Sequence, residues 1–452
     1  MSKLGRVSTT LPIPVKVNPQ GSDTEMLEGL RSATFDYFRH EVDPVTGLVA
    51  DSTKPGTPSS IAAVGMALSV YIVGVERGLL SRADAIHRTL TVLRFFHTSP
   101  QGPEPDATGY KGFYYHFLDM RTGRRAWQSE LSTIDSAILL AGILTAAAYF
   151  SGAAAEENEI RELAESLYRR VDWQWALNAG TTVTHGWKPE SAFLPYRWDN
   201  GYNEALILYL LALGSPTFPI DPRGYLEWTS TFEFKKIYDF EYLHAGPLFI
   251  HQMSHLWVDF RGIHDHLNRK TGFDYFENSR RATYIQKSYG MENPFGFSHY
   301  SEFCWGLTAS DGPGPAVLEL DGKEKIFFDY EARGAFGPDD GTISPWAVAT
   351  SLPFAPEIVI QTLRHAIESL LLKGRTAYGF DASFNPTFPD KSNNMHGWVS
   401  PWIFGLNQGP IVLMVENFQS ALIWNTIKQC PYIVKGLKRA GFRGGWLESQ
   451  TK

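Results

Sequence analysis

Three segments of this chain, residues 60–77, 133–150 and 202–213, are apolar on nearly every face of the helix that their spacing predicts. A helix at a protein surface keeps a polar side; one without a polar side must be covered all round. Such helices therefore need neighbours on one flank and a second layer on the other. Further segments repeat apolar residues at helical spacing: 25–40, 82–97, 156–177, 246–260, 355–373 and 408–429, with weaker signals near 275–289, 302–309 and 343–351. Ser81-Arg-Ala-Asp84 and Ser132-Thr-Ile-Asp135 have the form of capping boxes, and Gly214-Ser-Pro216 and Gly374 have the form of helix stops.

About twelve helices that alternate between buried and amphipathic kinds predict a double ring, inner helices wrapped by outer ones. The expected fold is all-α, an (α/α)6 barrel whose long loops gather at one end and form a cleft. Expected β structure is small, one hairpin over 317–328 turning at Asp321-Gly322. No short period repeats, and no break in composition divides residues 25–452, which read as one domain behind a flexible leader of residues 1–24.

The 452 residues carry a formal charge of −7 with no basic stripe, which excludes a nucleic-acid partner. Arg124–Arg125 and Arg280–Arg281 read as solvated surface. No apolar run reaches the length of a membrane span. No signal-type segment opens the chain, so it reads as cytoplasmic as written, or periplasmic or secreted if a signal was removed. Cys304 and Cys430 sit in no CxxC pair and read as free thiols, one long-range bridge being the alternative. Aromatic residues reach 14%, with 13 Trp and 20 Tyr. A large core absorbs many of them, but Trp187-Lys188, Tyr196-Arg197-Trp198-Asp199 and Trp398–Trp402 mix rings with polar groups in loops. That mixture suits a cleft that stacks on sugar faces and binds their hydroxyls.

Trp198-Asp199-Asn200-Gly201-Tyr202-Asn203-Glu204 leads straight into a buried helix, which puts Glu204 in its first turn. A helix start favours an acid and lowers its pKa, whereas burial beside Tyr202, Trp198 and Trp187 raises it. Cap and proton donor are both open on the residues alone. Asp135 occupies the return position of a capping box; Glu130, just upstream, has no such role. Tyr115 and His116 lie in the aromatic loop 112–117. Together these are the parts needed for glycoside hydrolysis, one acid at the leaving oxygen and one carboxylate acting on water or carbon. Tyr300-Ser-Glu302-Phe-Cys-Trp305 and Asp311 place further acids beside a ring. Asp339-Asp340-Gly341-Thr342 reads first as a helix entry. Gln408 and Glu416 are polar groups on an otherwise apolar helix, paired in the core or aimed at a ligand. His251 and His255, four apart, allow a metal-dependent enzyme as an alternative, but lack the Glu of the metalloprotease motif. Nucleotide loops and a GxSxG elbow are absent, and no cofactor is implied.

The chain resembles the glycoamylase-like proteins, which include bacterial endo-β-1,2-glucanases and the hydrolase-like module of cyclic β-1,2-glucan synthases. The resemblance rests on GFYYHFLDM (112–120), ELSTIDSA (130–137), YNEALILYLLALGSPT (202–217), PLFIHQMSHLWVDFRGIHD (247–265), WGLTASDGP (305–313), DDGTISPWA (339–347), SLPFAPE (351–357) and NQGPIVLMVENFQSALIW (407–424). It implies an (α/α)6 barrel with no required metal that acts on β-1,2-linked glucans or their oligomers. It makes Glu204 the general acid, and Asp135 and Glu130 cleft residues important for activity. In relatives that retain configuration a second Glu precedes the WGLTASD stretch, which points to Glu302. The family's usual Asp in the GIDQGP stretch is Asn407 here. The expected protein is thus a monomeric glycoside hydrolase, inverting, with a gluco-oligosaccharide substrate. A transglycosylase or a non-catalytic glucan-binding protein of the same fold is the alternative. Expected substrate contacts are Tyr115, His116, Trp187, Arg197, Trp198, Tyr202, His251, Trp305, Asp311, Asp340, Gln408 and Glu416.

Overall fold

The computed structural model describes residues 17, 21–369, 377–389 and 397–449. The three all-apolar segments form helices Ile61–Glu76, Thr133–Tyr149 and Leu206–Gly214, and every residue of the last is buried. Ile61–Glu76 packs on Thr133–Tyr149, which packs on Leu206–Gly214; Pro345–Thr350 packs on Gly405–Ser420, which returns to Ile61–Glu76. Residues 248–256 bridge the remaining gap. Ile207 N–H donates to Ser254 Oγ at 3.0 Å, and Gln252 Nε2 donates to the Ala347 carbonyl at 2.7 Å. The succession of contacts closes on itself. A second set covers its outside: Arg82–Thr98 lies on Ala155–Arg169, which lies on Thr133–Tyr149. Asp23–Phe35 covers Gly405–Ser420, Pro356–Ser369 covers Pro345–Thr350, and Pro431–Arg439 covers Leu206–Gly214. The near-complete burial of the inner helices follows from this coverage.

Glycines set the tightest approach. A Cβ on Gly65 would stand 2.5 Å from the Ile138 carbonyl oxygen, and one on Gly142 would stand 1.9 Å from the Gly65 oxygen. The backbones of Ile61–Glu76 and Thr133–Tyr149 therefore touch where they cross.

Several expected helices take another form. The stretch 246–260 is two 3-10 turns, Leu248–His251 and Met253–Leu256, not an α-helix. Pro247 offers no N–H, and Gln252, between the two turns, is stretched to φ −115° while its amide binds Ala347 and Ser351. Residues 302–309 form no helix. Leu307 donates its N–H to Gln286 Oε1 and accepts from Leu248 N–H, bonds that a helix would forfeit. The stretch 408–429 divides at Ala421, φ +56°, into Gly405–Ser420 and Leu422–Ile427. The stretch 25–40 divides into Asp23–Phe35 and Tyr37–His40, and 156–177 ends as a helix at Arg169. The end of 355–373, its stop Gly374 and all but a few residues of the leader lie outside the described residues.

The hairpin is present as Ala316–Leu320 paired with Lys323–Phe327, with Asp321 and Gly322 both at positive φ. Unforeseen are a second hairpin, Phe234–Ile237 with Phe240–Leu243, and a five-stranded antiparallel sheet. That sheet joins Gly109–Tyr110, Phe113–Tyr115, Leu131–Ser132, Gly186–Lys188 and Ala192–Phe193. No described helix is long and apolar enough to cross a membrane. Cys304 and Cys430 are buried and unbridged.

Candidate active site

The short sheet gathers the site. Strand Leu131–Ser132 runs directly into helix Thr133–Tyr149, pairing with Phe113–Tyr115 on one side and Gly186–Lys188 on the other. His116 N–H donates to the Glu130 carbonyl and Thr133 N–H to the His185 carbonyl, so four polar residues at strand ends meet. His116, Glu130, Asp135 and His185 line one wall of a cleft of about 580 Å³. Register turns Tyr115, Leu131 and Trp187 to the other face of the sheet. There Tyr115 lies under the Arg125 guanidinium and Trp187 packs on Tyr110 and Trp175; neither lines the cleft, contrary to expectation.

His116 is the electrostatic centre of that wall. Its Nδ1 lies 2.9 Å from Glu130 Oε1 and its Nε2 3.6 Å from Asp135 Oδ2. Burial works against the imidazolium, but the charges of Asp135, Glu130 and Asp51 outweigh it and raise the pKa to about 9. Glu130 falls below its usual value, because the bond and charge of His116 overcome burial. The Ser132 hydroxyl donates to Asp135 Oδ2 at 2.5 Å and accepts from Asp135 N–H at 3.2 Å, so Asp135 keeps its capping place while reaching the cleft.

Glu204 stands just before helix Leu206–Gly214 rather than in its first turn. Asn203 Oδ1 accepts the Ala205 N–H at 3.1 Å and delays the helix start. Ser254 then bridges the turn, donating to the Glu204 carbonyl at 3.1 Å and accepting from Ile207 N–H. The Glu204 carboxyl lines the cleft. Burial, with a lesser push from the Asp135 charge, outweighs a bond from its own backbone and raises its pKa to about 7. A protonated carboxyl at neutral pH can donate to a leaving oxygen.

Three titratable cleft residues carried no signal in the sequence. Asp51 enters from a segment tied to residues 403–405 by backbone bonds, the Gly405 N–H on its carbonyl at 2.9 Å. Burial raises its pKa to about 6, with His116 opposing and Asp135 adding to the rise. Tyr330, following the hairpin, lines the cleft with its side chain 67% exposed. The cleft walls around it and the charges of Glu204, Asp51, Asp135 and Asp311 raise the pKa of its phenol. His185 stacks on Trp198 with ring centroids 3.9 Å apart, and burial lowers its pKa. Asp311 also lines the cleft, accepting from Ser383 and Ser400, and so does Asn407.

Other expected contacts lie elsewhere. Glu302 is exposed and outside the cleft lining. Asp340 is buried against Arg333, Nε to Oδ1 at 2.7 Å, and Ser344 rather than Asp339 or Asp340 occupies the N-cap position of the next helix. Glu416 is buried between Arg31 and Arg77, tying helix Gly405–Ser420 to its neighbours. Trp305 is core, its indole N–H on Thr362 Oγ1. Tyr202 and Gln408 are buried off the cleft. The Arg197 guanidinium is spent on the carbonyls of Leu177, Asn178 and Thr182.

His251 donates from Nε2 to the Ala245 carbonyl, and His255 Nε2 meets Ser279 Oγ. Their rings are held by different partners in the core, and burial lowers their pKa values to about 4 and about 3. Among the described residues His116, Glu130 and Asp135 are close enough to share an ion, their ligand atoms lying within 4.8 Å of one another. At neutral pH the His116 proton already supplies the positive charge there, and a cation would have to displace it.

A family model named Glycoamylase, described as "Putative glucoamylase", matches residues 195–431. The crystal structure of a "putative glucoamylase" from Bacteroides uniformis is 30% identical, with a TM-score of 0.82 over 94% of this chain and 98% of that one. The endo-β-1,2-glucanase of Chitinophaga pinensis, solved with sophorotriose and glucose, is 25% identical, with a TM-score of 0.78 over 94% of this chain and 99% of that one. The exo-β-1,2-glucooligosaccharide sophorohydrolase of Parabacteroides distasonis is 28% identical over 92% of this chain, which spans 58% of that protein's length. With more than half its length inside the family model, and a solved relative matched nearly end to end, the chain belongs to the Glycoamylase family.

Proposed function

We propose that this protein is a glycoside hydrolase that cleaves β-1,2-linked glucans or gluco-oligosaccharides with inversion, using Glu204 as general acid. The observation that carries this reading is Glu204 itself, a carboxyl of raised pKa on a cleft lined by further carboxylates. The linkage comes from the named substrates of the relatives from P. distasonis and C. pinensis. The closed succession of helices supports an (α/α)6 ring, with the 3-10 turns of 248–256 as its sixth inner member.

Asp51 is the second carboxylate. Glu130 and Asp135 are engaged by His116 and Ser132, and Asp311 by Ser383 and Ser400. The Asp135 charge adds to the raised pKa of both Glu204 and Asp51, which supports all three acting in one cleft. In the step, a water gives a proton to Asp51 and its oxygen bonds the anomeric carbon. The glycosidic C–O bond breaks, and Glu204 protonates the departing oxygen. Inversion needs roughly 6.5–9.5 Å between the two carboxyls to seat that water. The exposure of Glu302 outside the cleft supports this route over a covalent one.

The test is incubation with β-1,2-, β-1,3-, β-1,4- and α-glucans, with proton NMR of the first products. Cleavage of β-1,2-glucan to α-anomers is expected. Products from another linkage alone, or β-anomers from β-1,2-glucan, would overturn the proposal.

A further inference from the structure

Beyond the cleft lies a groove of about 480 Å³ that shares two of its lining residues, His185 and Trp198, with the cleft. The stacked rings of that pair form a ridge between the two spaces. The ridge is fixed: Trp198 Nε1 donates to Thr133 Oγ1 at 3.0 Å, and its backbone N–H donates to the Val183 carbonyl at 2.8 Å. Consecutive residues mark the junction, Asn203 lining the groove and Glu204 the cleft. A chain lying over the ridge would pass the proton donor at the point where the two spaces meet.

The walls, Asp199 among them, suit a hydroxyl-rich ligand rather than an anion. Tyr196 holds its ring 66% exposed on the groove, a flat apolar face open to stacking. Asn200, exposed, lines the same space. Arg197, the cation of the groove, donates to the carbonyls of Leu177 and Thr182 at 2.9 and 2.7 Å and so builds the wall rather than attracting an anion. The His185 N–H donates to the Tyr196 carbonyl at 2.9 Å, which joins the loop to its neighbour before any ligand arrives. Such a preformed wall spends little ordering entropy on binding.

We propose that this groove binds further glucosyl units of the chain being cleaved, with Tyr196 as their stacking platform and Asn200 as a hydroxyl partner. The inference rests on the glucan reading above. It assigns the enzyme a binding site longer than the catalytic cleft, with a preference for oligomers that cross the Trp198–His185 ridge.

The test uses Glu204→Gln protein, so that substrate survives, and calorimetric titration with β-1,2-gluco-oligosaccharides from the disaccharide upward. Affinity should rise with length. Adding Tyr196→Ala should cost long oligomers about tenfold more affinity than the disaccharide, the size expected for one lost ring contact. Asn200→Ala should shift long oligomers in the same direction by less. Both side chains project to solvent, so the variants should keep the parent's melting temperature. An equal loss at every length, or no loss for long oligomers, would overturn the groove while leaving the hydrolase standing. Failure of every β-1,2 oligomer to bind, with no cleavage by the unsubstituted protein, would instead remove the glucan reading and the groove with it.

Discussion

Ser254 holds Glu204 by its main chain: its hydroxyl donates to the Glu204 carbonyl at 3.1 Å and accepts the Ile207 N–H at 3.0 Å. One hydroxyl thereby closes the irregular turn between Asn203 and the helix, and fixes where the proton donor stands. Ser254 touches no cleft space itself and acts as a positioning residue. Ser254→Ala should lower kcat roughly ten- to a hundredfold, as expected for a displaced catalytic group, with KM changed far less. Ser254→Thr, which restores the hydroxyl, should recover most of the rate. An equal fall in both variants, tracking a lower melting temperature, would reduce Ser254 to a structural role.

The rate should trace a narrow bell against pH. Asp51 must be ionised to accept a proton and titrates at about 6; Glu204 must be protonated to give one and titrates at about 7. kcat/KM should therefore rise through about 6, peak between the two values and fall above about 7. Glu204→Gln should abolish turnover of natural substrate. If the alkaline limb survived in that variant, another group would be the acid.

Asp51→Asn should cost about a hundredfold or more in rate, the usual worth of a positioned base, and should remove the acidic limb of the bell. Azide, which needs no base, should restore part of the rate and yield the α-glycosyl azide. Asp135→Asn offers the contrast: it should also slow the enzyme, but azide should not rescue it, because Asp135 is held by Ser132 and faces His116. Azide rescue of Asp135→Asn instead of Asp51→Asn would exchange their roles.

The helices were legible because burial writes a pattern. Ile61–Glu76 and Leu206–Gly214 have no polar face, and that fact alone calls for two covering layers. The sheet left no such mark, since strands of two or three residues are too short for a period-two signal, and its register is made by residues far apart in sequence. Asp51 was lost with it: only closure of the ring brings it beside residues 403–405. Conversely, Asp340 and Glu416 looked available because their partners were invisible. Arg333 is close in sequence but poorly marked, and Arg31 and Arg77 lie hundreds of residues from Glu416. Glu204 was legible through its motif, whereas its position outside the helix was not.

Asp340 should prove structural. Its side chain and that of Arg333 are both fully buried, and Arg333 also donates to Ser310 and Asp329 carbonyls. Removing one member leaves a buried charge without its partner, which costs roughly 3–5 kcal/mol. Asp340→Ala should move the urea unfolding midpoint down accordingly. Where folded protein remains at low temperature, its KM should stay close to that of the unsubstituted enzyme. A raised KM with an unchanged midpoint would return Asp340 to the substrate site.

The crossing of Gly65 and Gly142 links packing to catalysis. Helix propensity alone favours Gly142→Ala by about 1 kcal/mol. Contact decides the other way: the added Cβ would lie 1.9 Å from the Gly65 oxygen, a backbone atom that no rotamer can move. Forced separation of closely packed helices costs typically 1–3 kcal/mol or more, so the variant should be less stable despite its better propensity. The displacement has a direction in function too. Helix Thr133–Tyr149 carries Asp135 in its first turn and Glu130 just before it, so sliding it shifts both carboxylates relative to His116. Gly142→Ala should therefore lower kcat as well as the unfolding midpoint. A variant of raised stability and full activity would mean that the two helices have room to part, and that the cleft wall does not depend on their contact.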